Sequence, residues 1–281
     1  MITPAPASGA AAVAESLDRY LDADGVRLRC REQGQGAAVL LLHGWTLDLD
    51  IWDALAEALR QSFRVIRFDR RGFGRSSGQP SIERDVADIG AVCAHYNLER
   101  VALVGMSQGC RAVLSFACEH PAKVACIALD GPPEFDSSVA EGNVSLAPFR
   151  ELVRARGLAA FREQWLQHPL MQLRTPDIRA RELLRRIVYC YPGADLCDGV
   201  ADVPSPDLWG KIGALCVAAL VITGEHDPPG RVRSADNLAR HLPAGARAVI
   251  PGSGHLASLD NPESYNRQLA LFLARHTGSA S

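Results

Sequence analysis

No run of about 18 consecutive apolar residues occurs in this 281-residue sequence, so no membrane-spanning helix is expected. An excess of charge of one sign is also missing. The formal net charge of -2 gives no electrostatic case for nucleic acid or an anionic membrane as partner. Lysine is almost absent, at Lys123 and Lys211 only, so nearly all positive charge is arginine. There is no P-loop, no Gly-x-Gly-x-x-Gly and no histidine-carboxylate cluster at metal-binding spacing. Neither a metal nor an organic cofactor is therefore expected. The eight cysteines (30, 93, 110, 118, 126, 190, 197 and 216) form no CxxC pair. Most sit in apolar runs such as Val124-Ala125-Cys126-Ile127 and read as small buried hydrophobes in a reducing, cytoplasmic compartment. Met1 to Ala14 has no basic start and no unbroken apolar core, which predicts a floppy tail rather than a signal peptide.

What is present is a substantial apolar share, 47%, in a length that suits one large domain or one domain with an insertion. Leu17 to Asp22 and Val26 to Glu32 alternate apolar and polar around Asp24-Gly25, which predicts an edge hairpin. Ala38 to Leu42, Arg64 to Phe68, Val101 to Val104, Val124 to Leu129, Ala218 to Thr223 and Arg247 to Ile250 read as strands. Helical spacing marks Asp50 to Gln61, Cys110 to Glu119, Arg231 to His241 and Pro262 to Ala274, and a helix capped by Ser81 runs to about Tyr96. Repeated strand-helix units with buried strands predict a doubly wound, mostly parallel sheet. The alternation lapses from Glu134 to about Pro206, where only helical runs are evident. The chain thus divides into a first core part at 15–133, a helical cap insertion at 134–206 and a second core part at 207–276.

The chemistry centres on Gly105-Met106-Ser107-Gln108-Gly109, between an apolar strand and a helix. In that context the serine sits on a strained elbow with its hydroxyl exposed. The flanking glycines let strand and helix approach each other. A serine hydroxyl needs a base, and the base needs an orienting acid. His255 is the best base, because it follows the last strand in the loop Pro251-Gly252-Ser253-Gly254-His255. His95, His120, His241 and His276 fall in or beside helices, His168 falls in the insertion, and His43 is expected to be structural. Asp227, in Gly224-Glu225-His226-Asp227-Pro228-Pro229, is the preferred acid, with Asp130 as a competitor at the end of the strand after the elbow helix. The order serine, aspartate, histidine suits this elbow. Attack on a carbonyl makes an oxyanion, for which the backbone N–H groups of Gln108 and Trp45 are the expected donors. Asp69 to Ser76 reads as scaffold, with Asp69, Arg70 or Arg71 in ion pairs. Candidate pocket residues are Trp45, Met106, Phe135, Phe161, Trp165, Met171 and Trp209, with Phe149, Leu170 and Tyr189 beside them.

From about Tyr20 to His276 these residues resemble the α/β-hydrolase superfamily, in its serine-nucleophile branch with a helical cap. The motifs that carry the likeness are His43-Gly44-Trp45, Asp69 to Ser76, the Gly-x-Ser-x-Gly, Gly224 to Asp227 and Gly254-His255. The first third resembles the cofactor-free haloperoxidase or perhydrolase branch, whereas the long insertion fits esterases, lactonases and carbon–carbon bond hydrolases. The resemblance implies an α/β-hydrolase fold and cleavage of a small, largely apolar carboxylic ester or lactone through an acyl-enzyme on Ser107. Perhydrolase chemistry, carbon–carbon hydrolysis and a slow-turnover ligand receptor are alternatives on the same frame. A small molecule is the only partner expected.

Overall fold

The computed structural model describes residues 17–136, 143–197 and 208–278. The expected tail Met1 to Ala14 and the last part of the insertion, 198–206, lie outside the described residues. The chain enters through β1 (Arg19–Ala23) and β2 (Val26–Gln33), an antiparallel hairpin. Asp24 and Gly25 turn it with φ of 54° and 72°, the left-handed pair that a two-residue hairpin needs.

The remaining strands are β3 (Ala37–Leu42), β4 (Phe63–Phe68), β5 (Val101–Met106), β6 (Val124–Asp130), β7 (Ala219–Gly224) and β8 (Gly245–Ile250). They form one eight-stranded sheet in the order β1-β2-β4-β3-β5-β6-β7-β8. β2 pairs antiparallel with β4, and every pair from β4 to β8 is parallel. From β3 the chain crosses to one side to make β4 and then to the other to make β5. The carboxyl ends of β3 and β5 therefore flank the point where the winding reverses, which is where such sheets open a crevice.

The residues of β3 and β5 sort strictly by alternation. Val39, Leu41, Ala102, Val104 and Met106 join one core cluster, while Leu40, Leu42, Val101 and Leu103 join the other. Both strands are buried on both faces, which explains why they read as solid apolar runs. The first face is covered by α1 (Asp53–Leu59) and α9 (Pro262–Thr277). The second is covered by α2 (Ile82–His95), α3 (Gly109–Glu119) and α7 (Pro229–His241). The Ser81 side chain accepts from the Arg84 N–H and so starts α2, as its sequence predicts. Four-residue helix α8 (Ala257–Asp260) precedes α9.

Between β6 and β7 the described residues hold helices and no strand. α4 (Ala147–Leu166) is broken at Gly157, whose φ of 81° lies outside the helical range. α5 (Ile178–Cys190) is capped by Asp177, and α6 (Trp209–Ile212) leads into β7. The apolar sides of α4 and α5 join the first core cluster, through Phe161, Trp165, Leu184, Ile187 and Val188.

Among the cysteines, Cys30, Cys93, Cys110 and Cys126 are buried, and burial pushes the Cys30 and Cys126 thiols up to about 12. Cys190, Cys197 and Cys216 are exposed, against the expectation drawn from their apolar neighbours. Cys190 ends α5, and Cys197 and Cys216 lie in segments that connect elements.

The tightest junction is β5 to α3. A Cβ on Gly109 would stand 2.7 Å from the His43 carbonyl oxygen and 2.9 Å from that of Leu42, and a Cβ on Gly105 would stand 2.8 Å from the Gly109 oxygen. Backbone carbonyls cannot yield as a flexible side chain can. Gly109→Ala is therefore expected to lower the free energy of unfolding by about 1–3 kcal/mol. Gly210→Ala, in α6 with nothing within 4 Å of the added carbon, is expected to be neutral or to gain up to about 1 kcal/mol. Urea unfolding of both variants checks the contrast.

Candidate active site

Ser107 follows β5 with φ of 49°, in the left-handed region that a serine rarely enters. Its N–H donates to the Asp130 carbonyl at 2.7 Å, and its own carbonyl accepts from the Cys110 N–H at 3.0 Å. These bonds hold the serine on the turn between β5 and α3. His255 and Asp227 come from adjacent loops after β8 and β7. The loops are joined by His226 N–H to the Ser253 carbonyl at 2.8 Å and Glu225 N–H to the Ile250 carbonyl at 2.9 Å. Within that frame His255 Nδ1 lies 3.0 Å from Asp227 Oδ1, with both side chains buried. A Cβ on Gly131 would stand 2.5 Å from His255 Cε1, so the imidazole occupies space that only glycine leaves open.

Ser107 and His255 line one cavity of about 380 Å³. Gly44, Trp45, Met106 and Gln108 line it too. The backbone N–H groups of Trp45 and Gln108 have no hydrogen-bond acceptor among the described residues. Gln108 precedes the first turn of α3, so the helix dipole adds to the positive potential at its N–H. A carbonyl oxygen placed there would meet two unengaged donors.

Asp130, the competing acid, is fully buried and has no imidazole partner. Burial pushes its carboxyl well above the ordinary range, and the Asp227 charge pushes it further. The structure thus pairs His255 with Asp227.

The pocket expectation needs correction at three positions. Trp45, Met106, Trp165 and Met171 line the cavity, as does Leu170. Phe135, Phe161 and Trp209 do not. Phe161 is wholly buried behind the wall, with its ring centroid 5.7 Å from Trp45 and stacked on Trp165 at 6.1 Å. Phe135 packs into the core of the opposite face under the Arg111 guanidinium, and Trp209 stacks on His241 at 3.9 Å. Phe149 packs against Trp45, and Tyr189 donates to Glu163. Aromatic rings gain more from neighbouring rings and apolar packing than from a wet cavity, and these found such neighbours.

Sequence reasoning also missed residues. Arg111 and Arg231 line the cavity, together with Leu47, Asn143 and Leu146. Arg111 stands four residues after Ser107 at the start of α3, so helical spacing could have placed it beside the site. Arg231, in the first turn of α7, carries no comparable signal. Asp195 is a second omission. It accepts from Trp45 Nε1 at 2.7 Å and from the Tyr191 hydroxyl, and so ties the segment after α5 to the Trp45 side chain. Thr46 Oγ1 likewise accepts from Trp165 Nε1 at 2.7 Å.

His43 behaves as expected. Its Nε2 accepts from the Arg70 N–H at 2.9 Å, and its Nδ1 lies 2.8 Å from the Gly44 carbonyl. Burial, then the Arg70 charge, lowers its pKa to about 3. Asp69 accepts from Leu49 N–H and Arg75 N–H at 2.7 Å each, Arg70 pairs with Asp85, and Arg71 pairs with Asp88. Arg70 also donates to Gln108 Oε1 at 2.9 Å, so the scaffold reaches the cavity wall.

Residues 37–262 match the family model described as alpha/beta hydrolase fold. The chain is 28% identical over 264 residues to a putative 2-succinyl-6-hydroxy-2,4-cyclohexadiene-1-carboxylate synthase of Bacillus subtilis (strain 168), covering 89% of this chain and 96% of the relative. It is 28% identical over 268 residues to a non-heme haloperoxidase of Rhodococcus erythropolis, covering 89% and 97%. Among solved structures, a thermophilic esterase from Thermogutta terrifontis superposes with a TM-score of 0.78 at 25% identity, covering 94% of this chain and all of that one (100%).

The buried His43 gives a pH signature. An unfolded imidazole takes its proton near 6.5, whereas the folded one resists down to about 3. Between those values the unfolded chain binds the extra proton, so the contribution of His43 to stability shrinks as pH falls. The stability difference between wild type and His43→Gln, from urea unfolding, is expected to rise by about 1.4 kcal/mol per pH unit up to about pH 6.5 and to flatten above it. A difference that does not change with pH would show that the folded imidazole titrates normally.

Proposed function

The chain belongs to the alpha/beta hydrolase fold family, and from that premise we propose that it hydrolyses a carboxylic ester or lactone through an acyl-enzyme on Ser107. The observation that carries the reading is the cavity lined by Ser107 and His255. It gathers the elbow serine, an imidazole held by Asp227, and two unengaged N–H groups. Ser107 Oγ attacks the acyl carbon while His255 Nε2 takes the hydroxyl proton, and Nδ1–H donates to Asp227. The C–O bond to the alcohol then breaks, and His255 returns the proton to the leaving oxygen. Water enters, gives its proton to His255 and attacks the acyl carbon. Ser107 leaves with that proton, and the acid is released. At each tetrahedral stage the negative oxygen accepts from the Trp45 and Gln108 N–H groups.

In this reading residues 134–206 act as a cap, with Trp165, Leu170 and Met171 as the apolar wall for the substrate. Similarity to a haloperoxidase favours one second reading, in which hydrogen peroxide rather than water meets the acyl group and yields a peracid. A peracid-dependent halogenation assay with acetate and peroxide separates the two.

A fluorophosphonate probe is expected to label Ser107, read by peptide mass spectrometry, and a panel of short p-nitrophenyl esters and lactones is expected to turn over. Ser107→Ala should lower kcat by about six orders of magnitude and Asp227→Asn by about four. Asp130→Asn, at a buried carboxyl that is not the one bonded to His255, should lower it less than about tenfold. Activity that survives Ser107→Ala, or a larger loss at Asp130 than at Asp227, would defeat the assignment.

A further inference from the structure

The cavity wall carries two guanidinium groups that the reaction just described does not use. Arg231 is only 5% exposed, and its Nη1 is buried without a hydrogen-bond partner. Arg111 donates Nη2 to the Glu134 carbonyl at 2.7 Å and to Asn143 Oδ1 at 3.2 Å, both neutral acceptors. Neither arginine has a carboxylate within ion-pair distance among the described residues. Arg111 is half-buried, and the buried arginines other than Arg231 all do. Arg29 pairs with Asp18, Asp50 and Asp69, Arg67 with Asp53, Arg70 with Asp85, and Arg71 with Asp88.

A buried cation without a counter-ion is unfavourable unless something supplies one. The two guanidiniums also sense each other, since the Arg231 charge adds to burial in pulling the Arg111 pKa down, against a smaller opposing pull from the Glu134 carboxylate. Among the described residues no carboxylate lines the cavity. The rest of its wall is apolar or neutral, with Asn143 and Ser145 as polar groups on the insertion side. Arg231 also feels the Asp227 charge, without hydrogen bonding to it.

We propose that Arg111 and Arg231 form an anion subsite that selects esters or lactones carrying a free carboxylate, such as the half-ester of a short dicarboxylic acid. This rests on the ester-hydrolase reading for the chemistry, but not for the binding. A carboxylate offers two coplanar oxygens that match a guanidinium fork. A phosphate has further oxygens to satisfy, and the Trp45 and Gln108 N–H groups are needed by the reacting carbonyl.

Matched substrates test the charge alone. Mono-p-nitrophenyl glutarate is compared with its neutral amide, p-nitrophenyl 4-carbamoylbutanoate, which puts the charge on the acyl side. 4-Acetoxybenzoate is compared with 4-acetoxybenzamide, which puts it on the leaving side. In at least one pair the carboxylate should have a kcat/KM about tenfold or more above its amide. That ratio should fall at least about tenfold in Arg231→Gln and in Arg111→Gln, chiefly through KM. Arg231→Lys, which keeps the charge but loses the fork, should retain part of it. Amides hydrolysed as well as their carboxylates in both pairs, or a preference that survives both glutamine variants, would overturn the subsite. If Arg231→Gln does not fold by circular dichroism, Arg231→Lys and Arg111→Gln decide.

Calorimetry on the Ser107→Ala protein separates binding from chemistry. Glutarate should bind saturably and glutaramide should not, and adding either arginine substitution should weaken glutarate by at least about tenfold. No glutarate binding, or inorganic phosphate binding more tightly than glutarate, overturns the carboxylate assignment. Glutarate binding with none of the four esters cleaved upholds the subsite and defeats the ester-hydrolase reading.

Discussion

Ser107 can hold its left-handed backbone only because glycines stand two residues to either side of it. A strained residue of this kind stores about 1–3 kcal/mol, which the surrounding structure must offset. Here α3 is pressed against the ends of β3 and β5, closer than any Cβ would allow at position 105 or 109. That same approach brings the start of α3, and with it the Gln108 N–H, beside the loop after β3 that carries Trp45. Strain at the serine and the placement of two N–H donors are thus one geometric fact. Gly131 plays the corresponding part for His255, whose ring occupies the space a side chain would take.

Charge is distributed with equal economy behind this junction. Asp69 receives two backbone N–H groups and the Arg29 guanidinium, and Arg70 spans from Asp85 to the Gln108 side chain. These buried groups are worth little as net stabilisers, because desolvation opposes their attraction. They act through the geometry they impose on the loops after β3 and β4. Burial raises the Asp85 carboxyl to about 6 even against Arg70. Against such thorough pairing, the two arginines on the cavity wall stand apart.

The segment between β6 and β7 is not loosely laid over the sheet. Trp45 meets Phe149, Phe161, Trp165 and Tyr191 edge-on or tilted, with ring centroids 4.7–6.1 Å apart. Its indole N–H reaches Asp195, and Trp165 reaches back to Thr46. The residue that offers a backbone donor to the cavity therefore also anchors the helical segment with its side chain. Any displacement of α4 would be felt at the loop after β3.

The sequence by itself determined the features whose physics is local. Solid apolar runs marked the central strands and alternation the edge hairpin, Ser81 fixed the start of a helix, and the spacing of glycines around Ser107 fixed the elbow, since each depends on residues within a few positions. It also narrowed the partners of the serine to His255 and to Asp227 or Asp130, because strand ends in a parallel sheet converge on one rim. Only the tertiary structure chose between the two aspartates, through the bonds that join the loops after β7 and β8. Likewise, only the fold decided which aromatics face the cavity. Phe161 and Trp165 share one helix face four residues apart, yet Trp165 lines the space and Phe161 lies behind it. The same holds for Arg231, whose lack of an ion pair among the described residues is visible only once every other buried arginine has found its own. Burial and pairing are properties of neighbours distant in the chain, and no local pattern encodes them.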